Sequence, residues 1–295
     1  MYAVDRLYEA VARKGPVCVG LDTAPEYLPP AARRSGVQGI LSYNLALVDG
    51  LLDSAACFKV QIAYYEALGL EGLAVYAKTL RFIRDKGGLV IGDIKRGDIA
   101  DTASRYARAH FDGEFEADFV TLSPYMGMDS LEPWLDYAER KAKGAFVLVK
   151  TSNKGARDFQ RCDLKAGGTV ARAVGDRLSA LARSYTGKHG YGAFGAVMGC
   201  TDIVEDAAMR EAWQNLFFLI PGYGAQGGTA ADAARLLRRG NGGVVNASRS
   251  LLTAWSASGG APEEPDIVYA VEAARLAALS MRDALTAASG GSGSP

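Results

Sequence analysis

Histidine is nearly missing from this chain: His110 and His189 are the only two in 295 residues. A Ser-His-Asp triad or a histidine-based metal site would have to rest on that pair, and neither lies in a recognisable motif. Cysteine is also sparse. Cys18, Cys57, Cys162 and Cys200 are widely spaced with no C-x-x-C pair, so neither a zinc site nor a disulfide framework is indicated. Free thiols packed as small hydrophobes in a reducing cytoplasm are the expectation. Charge of either sign is not in excess, with 33 basic and 33 acidic residues, which points to no nucleic-acid or membrane surface. No apolar run approaches the ~20 residues of a membrane span. The opening "MYAVDRLYEAVARKG" reads as an amphipathic helix and not as a secretory leader. Without a leader, the Asn-Ala-Ser at Asn246 is a chance match to the glycosylation pattern.

Hydrophobic residues make up 49% of the chain, enough for a large core. Short apolar runs rich in β-branched residues recur along it: 16–22, 56–61, 88–95, 117–123, 145–152, 194–200, 216–222 and 243–248. Their near-continuous apolar character suits parallel strands covered on both faces. Between them lie segments of helical spacing, such as "EGLAVYAKTLRFIRDKG", which stops at Lys-Gly. Eight strands alternating with helices predict a (β/α)8 barrel in one α/β domain over residues 1–288. An open doubly wound sheet is the alternative, but eight regular units favour closure. The Gly/Ser-rich end, 289–295, reads as a disordered tail.

Active sites of such barrels lie at the C-terminal ends of the strands. There the polar residues gather: Asp22 on the first run, Lys59 on the second, Asp93 and Lys95 on the third. Side chains alternate along a strand, so Asp93 and Lys95 share a face. If that face is the barrel interior, all four project into one site. Asp98 lies beyond the strand, and its spacing from Thr102 predicts one shared face of the following helix. Any one of these charges taken alone is explained equally well as a solvated strand end, and Asp98 or Asp101 as a helix cap. Four ionisable groups at the same end of three successive strands are better explained as a site. The fifth run ends in Thr151, Ser152 and Asn153, the seventh in "PGYGAQGGT" and the eighth in "NASRS". Arg249 offers a fork suited to phosphate, beside helix N-terminal amides. "GYGAQGG" fits G-x-G-x-x-G, but it follows the seventh strand and no acidic residue ends the next one, which argues against a dinucleotide.

These residues together resemble the orotidine 5′-phosphate decarboxylase family. "DIKRGDIADT" is similar to its Asp-x-Lys-x-x-Asp signature, and Asp22, Lys59, "PGYGAQGG" and "SR" extend the likeness over nearly the whole chain, in the manner of the longer bacterial members. The resemblance implies loss of carbon dioxide from orotidine 5′-monophosphate, a small nucleotide, to give uridine 5′-monophosphate, the last step of de novo pyrimidine nucleotide synthesis, with no cofactor and no metal. It implies a charged network of Lys59, Asp93, Lys95 and Asp98, with Lys95 protonating C6 and Asp93 beside the leaving carboxylate. Asp22 and Lys59 would hold the ribose 3′-hydroxyl. Gln226 and Arg249 would hold the phosphate, Gln226 also touching the base, and Ser152 is the candidate for the pyrimidine amide. Asp98 and Thr102 would reach the ribose 2′-hydroxyl in a neighbouring subunit, which makes the expected enzyme a cytoplasmic homodimer.

Two other readings compete. Related phosphosugar enzymes of the same barrel type, such as 3-keto-gulonate-phosphate decarboxylase and hexulose-phosphate synthase, share the third-strand motif but bind magnesium through an acidic residue ending the second strand. Here that position carries Lys59, whose charge beside Lys95 would repel a divalent cation. A catalytically dead barrel kept as a scaffold has no need of Asp93, Lys95 and Asp98 together.

Overall fold

The computed structural model describes residues 1–200, 203–224, 227–257 and 262–290. Eight parallel strands close in sequence order into a barrel: β1 (Val17–Gly20), β2 (Cys57–Gln61), β3 (Val90–Arg96), β4 (Phe119–Leu122), β5 (Gly144–Lys150), β6 (Phe194–Met198), β7 (Phe218–Ile220) and β8 (Gly243–Ala247), with β8 pairing back to β1. Every strand falls inside or within one residue of a run read from the sequence. Closure leaves no unpaired sheet edge, which an open sheet would have had to cover.

Side-chain alternation sorts the strand residues into two cores. Val17, Val19, Phe58, Val60, Val90, Val120 and Val147 point outward and pack beneath the surrounding helices. The opposite parity, Cys18, Cys57, Ile91, Phe119, Phe146 and Val244, fills the barrel interior, with Phe119 and Phe146 ring to ring at 5.2 Å. The helix Ala3–Lys14 closes the floor of this interior: Ala3, Val4, Leu7, Ala10 and Val11 are buried against the interior residues. Asp5 steadies its start by accepting a hydrogen bond from Tyr2 N at 3.1 Å.

Two positions further along each strand, the same parity changes character. Cys57, Ile91, Phe119 and Phe146 give way to Lys59, Asp93, Thr121 and Leu148, which line a cavity of about 690 Å³ at the C-terminal end. The barrel is thus apolar in its lower half and polar at its mouth.

The final helix runs Ile267–Ala288, with Ser289 as its C-cap and Gly290 just beyond in the left-handed region. Ser289 Oγ donates to Leu285 O at 2.8 Å and completes the last turn; positions 291–295 of the Gly/Ser-rich end lie outside the described residues. Cys18, Cys57 and Cys200 are buried free thiols, whereas Cys162 is exposed on the long segment after β5. No helix among the described residues is long and apolar enough to cross a membrane.

Candidate active site

The charged centre is built from three neighbouring strands. Lys59 Nζ donates to Asp93 Oδ2 at 2.8 Å and to Asp22 Oδ1 at 3.0 Å. Lys95 Nζ donates to the other oxygen, Asp93 Oδ1, at 2.6 Å. Asp93 therefore lies between two ammonium groups. Its side chain and that of Lys59 are only 7% and 5% exposed, while Lys95 is 47% exposed and faces the cavity. Burial by itself would neutralise both inner groups. For Asp93, burial is outweighed by Lys59 and Lys95, which hold the carboxyl well below its ordinary range. For Lys59, burial is outweighed by Asp22 and Asp93, which hold the ammonium well above its own. The cluster is an alternating chain of charges kept ionised by its members.

Lys95 adopts φ +46°, in the left-handed region that non-glycine residues seldom occupy. The β3–β4 register shifts between Gly92 and Arg96, and Thr121 fills the resulting gap in the ladder. Its hydroxyl accepts from Lys95 N at 2.9 Å and donates to Asp93 Oδ1 at 2.8 Å. Backbone strain of this kind persists only where the surroundings over-determine it. Sequence reading missed Thr121, although a hydroxyl at interior parity in an otherwise apolar strand was the available signal.

The rim supplies polar groups of other kinds. Thr151, Ser152 and Asn153 follow β5 and line the cavity, with Thr151 N donating to Gln160 Oε1 at 2.8 Å. Arg249, at the start of the short helix Arg249–Leu252, lines the side formed by β8. Asn246, also unanticipated, is buried there and donates through Nδ2 to Ser248 Oγ at 3.2 Å. Gly20 permits this close approach: a Cβ there would lie 2.0 Å from Ser248 Oγ. Gln226 lies outside the described residues; its neighbours Gly222 and Tyr223 line the cavity.

Two predicted residues stand apart. Asp98 is half-buried and does not line the cavity, and its Oδ1 accepts from Ile99 N at 2.8 Å. It precedes the helix Ala100–Phe111 instead of sharing a face of it with Thr102, because the chain turns at the helix's first residue, Ala100, with φ +43°. Thr102 is exposed on that helix. Ile99, Tyr125, Met126 and Phe159 are large exposed apolar residues, Tyr125 by 84% and Phe159 by 66%, with the Tyr125 and Phe159 rings 6.4 Å apart.

A buried ion pair braces the mouth on the far side. Lys150, at the end of β5, pairs with Asp206, and also with Glu205 at 3.5 Å, on the helix Ile203–Ala212. Among the described residues no group of three or more His, Cys, Asp and Glu side chains is arranged to hold a metal ion. The two carboxylates that do converge, Asp22 and Asp93, are bridged by Lys59.

Residues 15–257 match the model of the orotidine 5′-phosphate decarboxylase / HUMPS family. An orotidine 5′-phosphate decarboxylase of Clostridium kluyveri is 52% identical over 283 residues, covering 95% of this chain and 96% of its own. One from Clostridium perfringens is 51% identical over 284 residues, covering 95% and 97%. Among solved structures, the OMP decarboxylase of Leishmania donovani superposes with a TM-score of 0.77 at 32% identity, covering 98% of this chain and 99% of that one. A putative orotidine 5′-phosphate decarboxylase from Streptomyces avermitilis gives 0.77 at 33%, covering 95% of both.

Proposed function

The chain belongs to the orotidine 5′-phosphate decarboxylase / HUMPS family, and we propose that its Lys59–Asp93–Lys95 cluster is the centre at which it converts orotidine 5′-monophosphate to uridine 5′-monophosphate. The observation that carries the site assignment is Asp93 held ionised between two lysines at the mouth of the barrel. In this reaction the C6–carboxylate bond breaks, carbon dioxide leaves, and the bonding electron pair stays on C6. No carbonyl conjugated with C6 delocalises that pair well, so stabilisation has to come from a fixed positive charge.

Lys95 is the group for that task. Its ammonium faces the cavity while Asp93 and the Thr121-pinned backbone fix its position. It stabilises the charge forming on C6, delivers a proton there, and takes one back from solvent. Asp93 lies where the leaving carboxylate is expected, and binding of the remote phosphate supplies the energy that holds the two together. Arg249 would take the phosphate together with Gln226, Asp22 and Lys59 the ribose 3′-hydroxyl, and Ser152 the pyrimidine amide. Positions of Arg249, Ser152 and Asp22 around one cavity support these roles. A cavity of about 690 Å³ suits a nucleotide.

The same proposal includes a homodimer. Asp98 and Thr102 do not line their own subunit's cavity, and the apolar side chains of Ile99, Tyr125, Met126 and Phe159 are exposed. Such patches mark protein contacts. A second copy seated there would receive Asp98 and Thr102 at its ribose 2′-hydroxyl. A cytoplasmic location is supported by the buried free thiols.

The test is loss of ultraviolet absorbance when orotidine 5′-monophosphate is added to purified protein, with and without a chelator. Turnover equal in both is expected. Absence of turnover would overturn the activity, and turnover abolished by chelator would place the chain with the metal-dependent branch.

A further inference from the structure

A second cavity, about 810 Å³, opens at the opposite end of the barrel from the active site. It lies between the end of the helix Ala3–Lys14, the turn leading into β8, and the final helix. Its walls carry Arg13, Lys14, Arg238, Arg239 and Arg282, and no carboxylate lines it. The overall charge balance of zero conceals this local excess.

Few of these cations are neutralised. Among the described residues, neither Arg13 nor Arg239 forms an ion pair, and the Arg238 side chain donates only to Gln214 O, at 3.3 Å. Arg282 has Asp283 at 2.9 Å, and Lys14 donates to Leu52 O at 2.6 Å. Burial lowers the Lys14 ammonium from its ordinary value; Asp53 opposes this and the neighbouring Arg13 adds to it. Glu9, on the same helix as Arg13, is engaged by Lys188 at 2.5 Å and by His189. Clustering like charges without counterions is unfavourable unless something anionic visits them.

The turn Arg238–Asn241 adds a second observation. Arg238 and Asn241 exchange backbone hydrogen bonds at 2.7 and 3.0 Å, and both intervening residues have positive φ, Arg239 at +51° and Gly240 at +78°. That turn favours Gly or Asn at its first central position. Here it carries an arginine, held in a conformation that costs energy and facing the cavity. The remaining wall is aromatic: Tyr8 stacks on His189 with ring centres 4.2 Å apart, and Tyr191 lies beneath.

We propose that this groove is a binding site for a small polyphosphate-bearing anion of the nucleoside polyphosphate class. Arg13, Arg239 and Arg282 would take the phosphates, since guanidinium forks match phosphate oxygens, and the Tyr8–His189 wall would take the nucleoside. The groove's volume is that of a small-molecule site, and its concave form is unlike the long stripe a nucleic acid needs.

The test is calorimetric titration with two probes, inorganic tripolyphosphate and ATP. The protein is held in saturating uridine 5′-monophosphate so that the active site is occupied. Saturable 1:1 binding of both is expected, tighter for ATP. It should weaken at least about tenfold in Arg13→Gln/Arg239→Gln/Arg282→Gln, with kcat/KM for orotidine 5′-monophosphate unchanged. Should that variant misfold, Arg239→Gly removes one charge while relieving the backbone, and a several-fold weakening is expected. No saturable binding, equal binding by the variants, or binding of a DNA duplex that tripolyphosphate does not displace would overturn the site.

Discussion

Lys59 and Asp93 face each other from adjacent strands across 2.8 Å, both almost sealed from water. Breaking such a pair from one side leaves an uncompensated buried charge, which costs about 3–5 kcal/mol. Lys59→Met, which removes the cation between Asp22 and Asp93 while Asp93 keeps Lys95, should lower unfolding free energy by up to about that amount and abolish turnover. The double variant Lys59→Met/Asp93→Leu should recover much of the stability and none of the activity. Denaturant titration and the absorbance assay separate the two effects. Equal loss of stability in single and double variants would contradict the ion-pair account.

Thr121 joins Lys95 to Asp93 through one hydroxyl. Thr121→Val keeps the shape and removes the oxygen, leaving a backbone donor and a carboxylate oxygen each short of one partner. Hydrogen bonds to charged groups are worth about 1.5–3 kcal/mol. If that loss falls on the transition state, kcat drops about 10- to 100-fold, while KM changes little. Thr121→Ser should restore most of it. A KM effect alone, or no rescue by serine, would show that the hydroxyl does not position Lys95.

If Asp98 serves the neighbouring subunit, two dead proteins can make a live one. Lys95→Ala and Asp98→Ala should each lose about 10²–10³-fold or more in kcat. Mixed and allowed to exchange subunits, they should regain activity, because one hybrid site carries both native residues. Demonstrated exchange without recovery would count against a shared site.

His110 predicts a pH dependence of stability that the active site does not contribute. It is buried, its Nδ1 has no partner, and burial together with nearby Arg96 pushes the imidazole down to about 4. The unfolded chain, at about 6.5, takes up a proton first. The stabilisation is therefore complete above about pH 6.5 and is lost as pH falls towards the folded value. Between pH 7 and 5 the loss should be about 2 kcal/mol. His110→Leu should show a shallower decline over that range in urea titrations; an identical slope would rule out His110 as its source.

How much of this could be read in advance depended on the reach of each interaction. The strands and the convergence of Lys59, Asp93 and Lys95 follow from a period of two within single runs, so local pattern sufficed. Thr121 is visible as a lone hydroxyl in an apolar strand, but its link to Lys95 and Asp93 depends on the register against β3, which no local pattern encodes. Asp98 and Thr102 do not share a helix face as their spacing predicts, since the backbone at Ala100, with φ +43°, sets their relation. The basic groove gathers residues from positions 13, 239 and 282, a proximity that only barrel closure creates.

The helix Ala3–Lys14 and the Phe119–Phe146 layer stopper the barrel from below. Among the described residues the cavity is therefore floored, with Ser152 and Arg249 on its rim. Under the proposed function, carbon dioxide would leave past the rim by which the nucleotide enters. Gas escape and nucleotide release would then be timed by the same side chains.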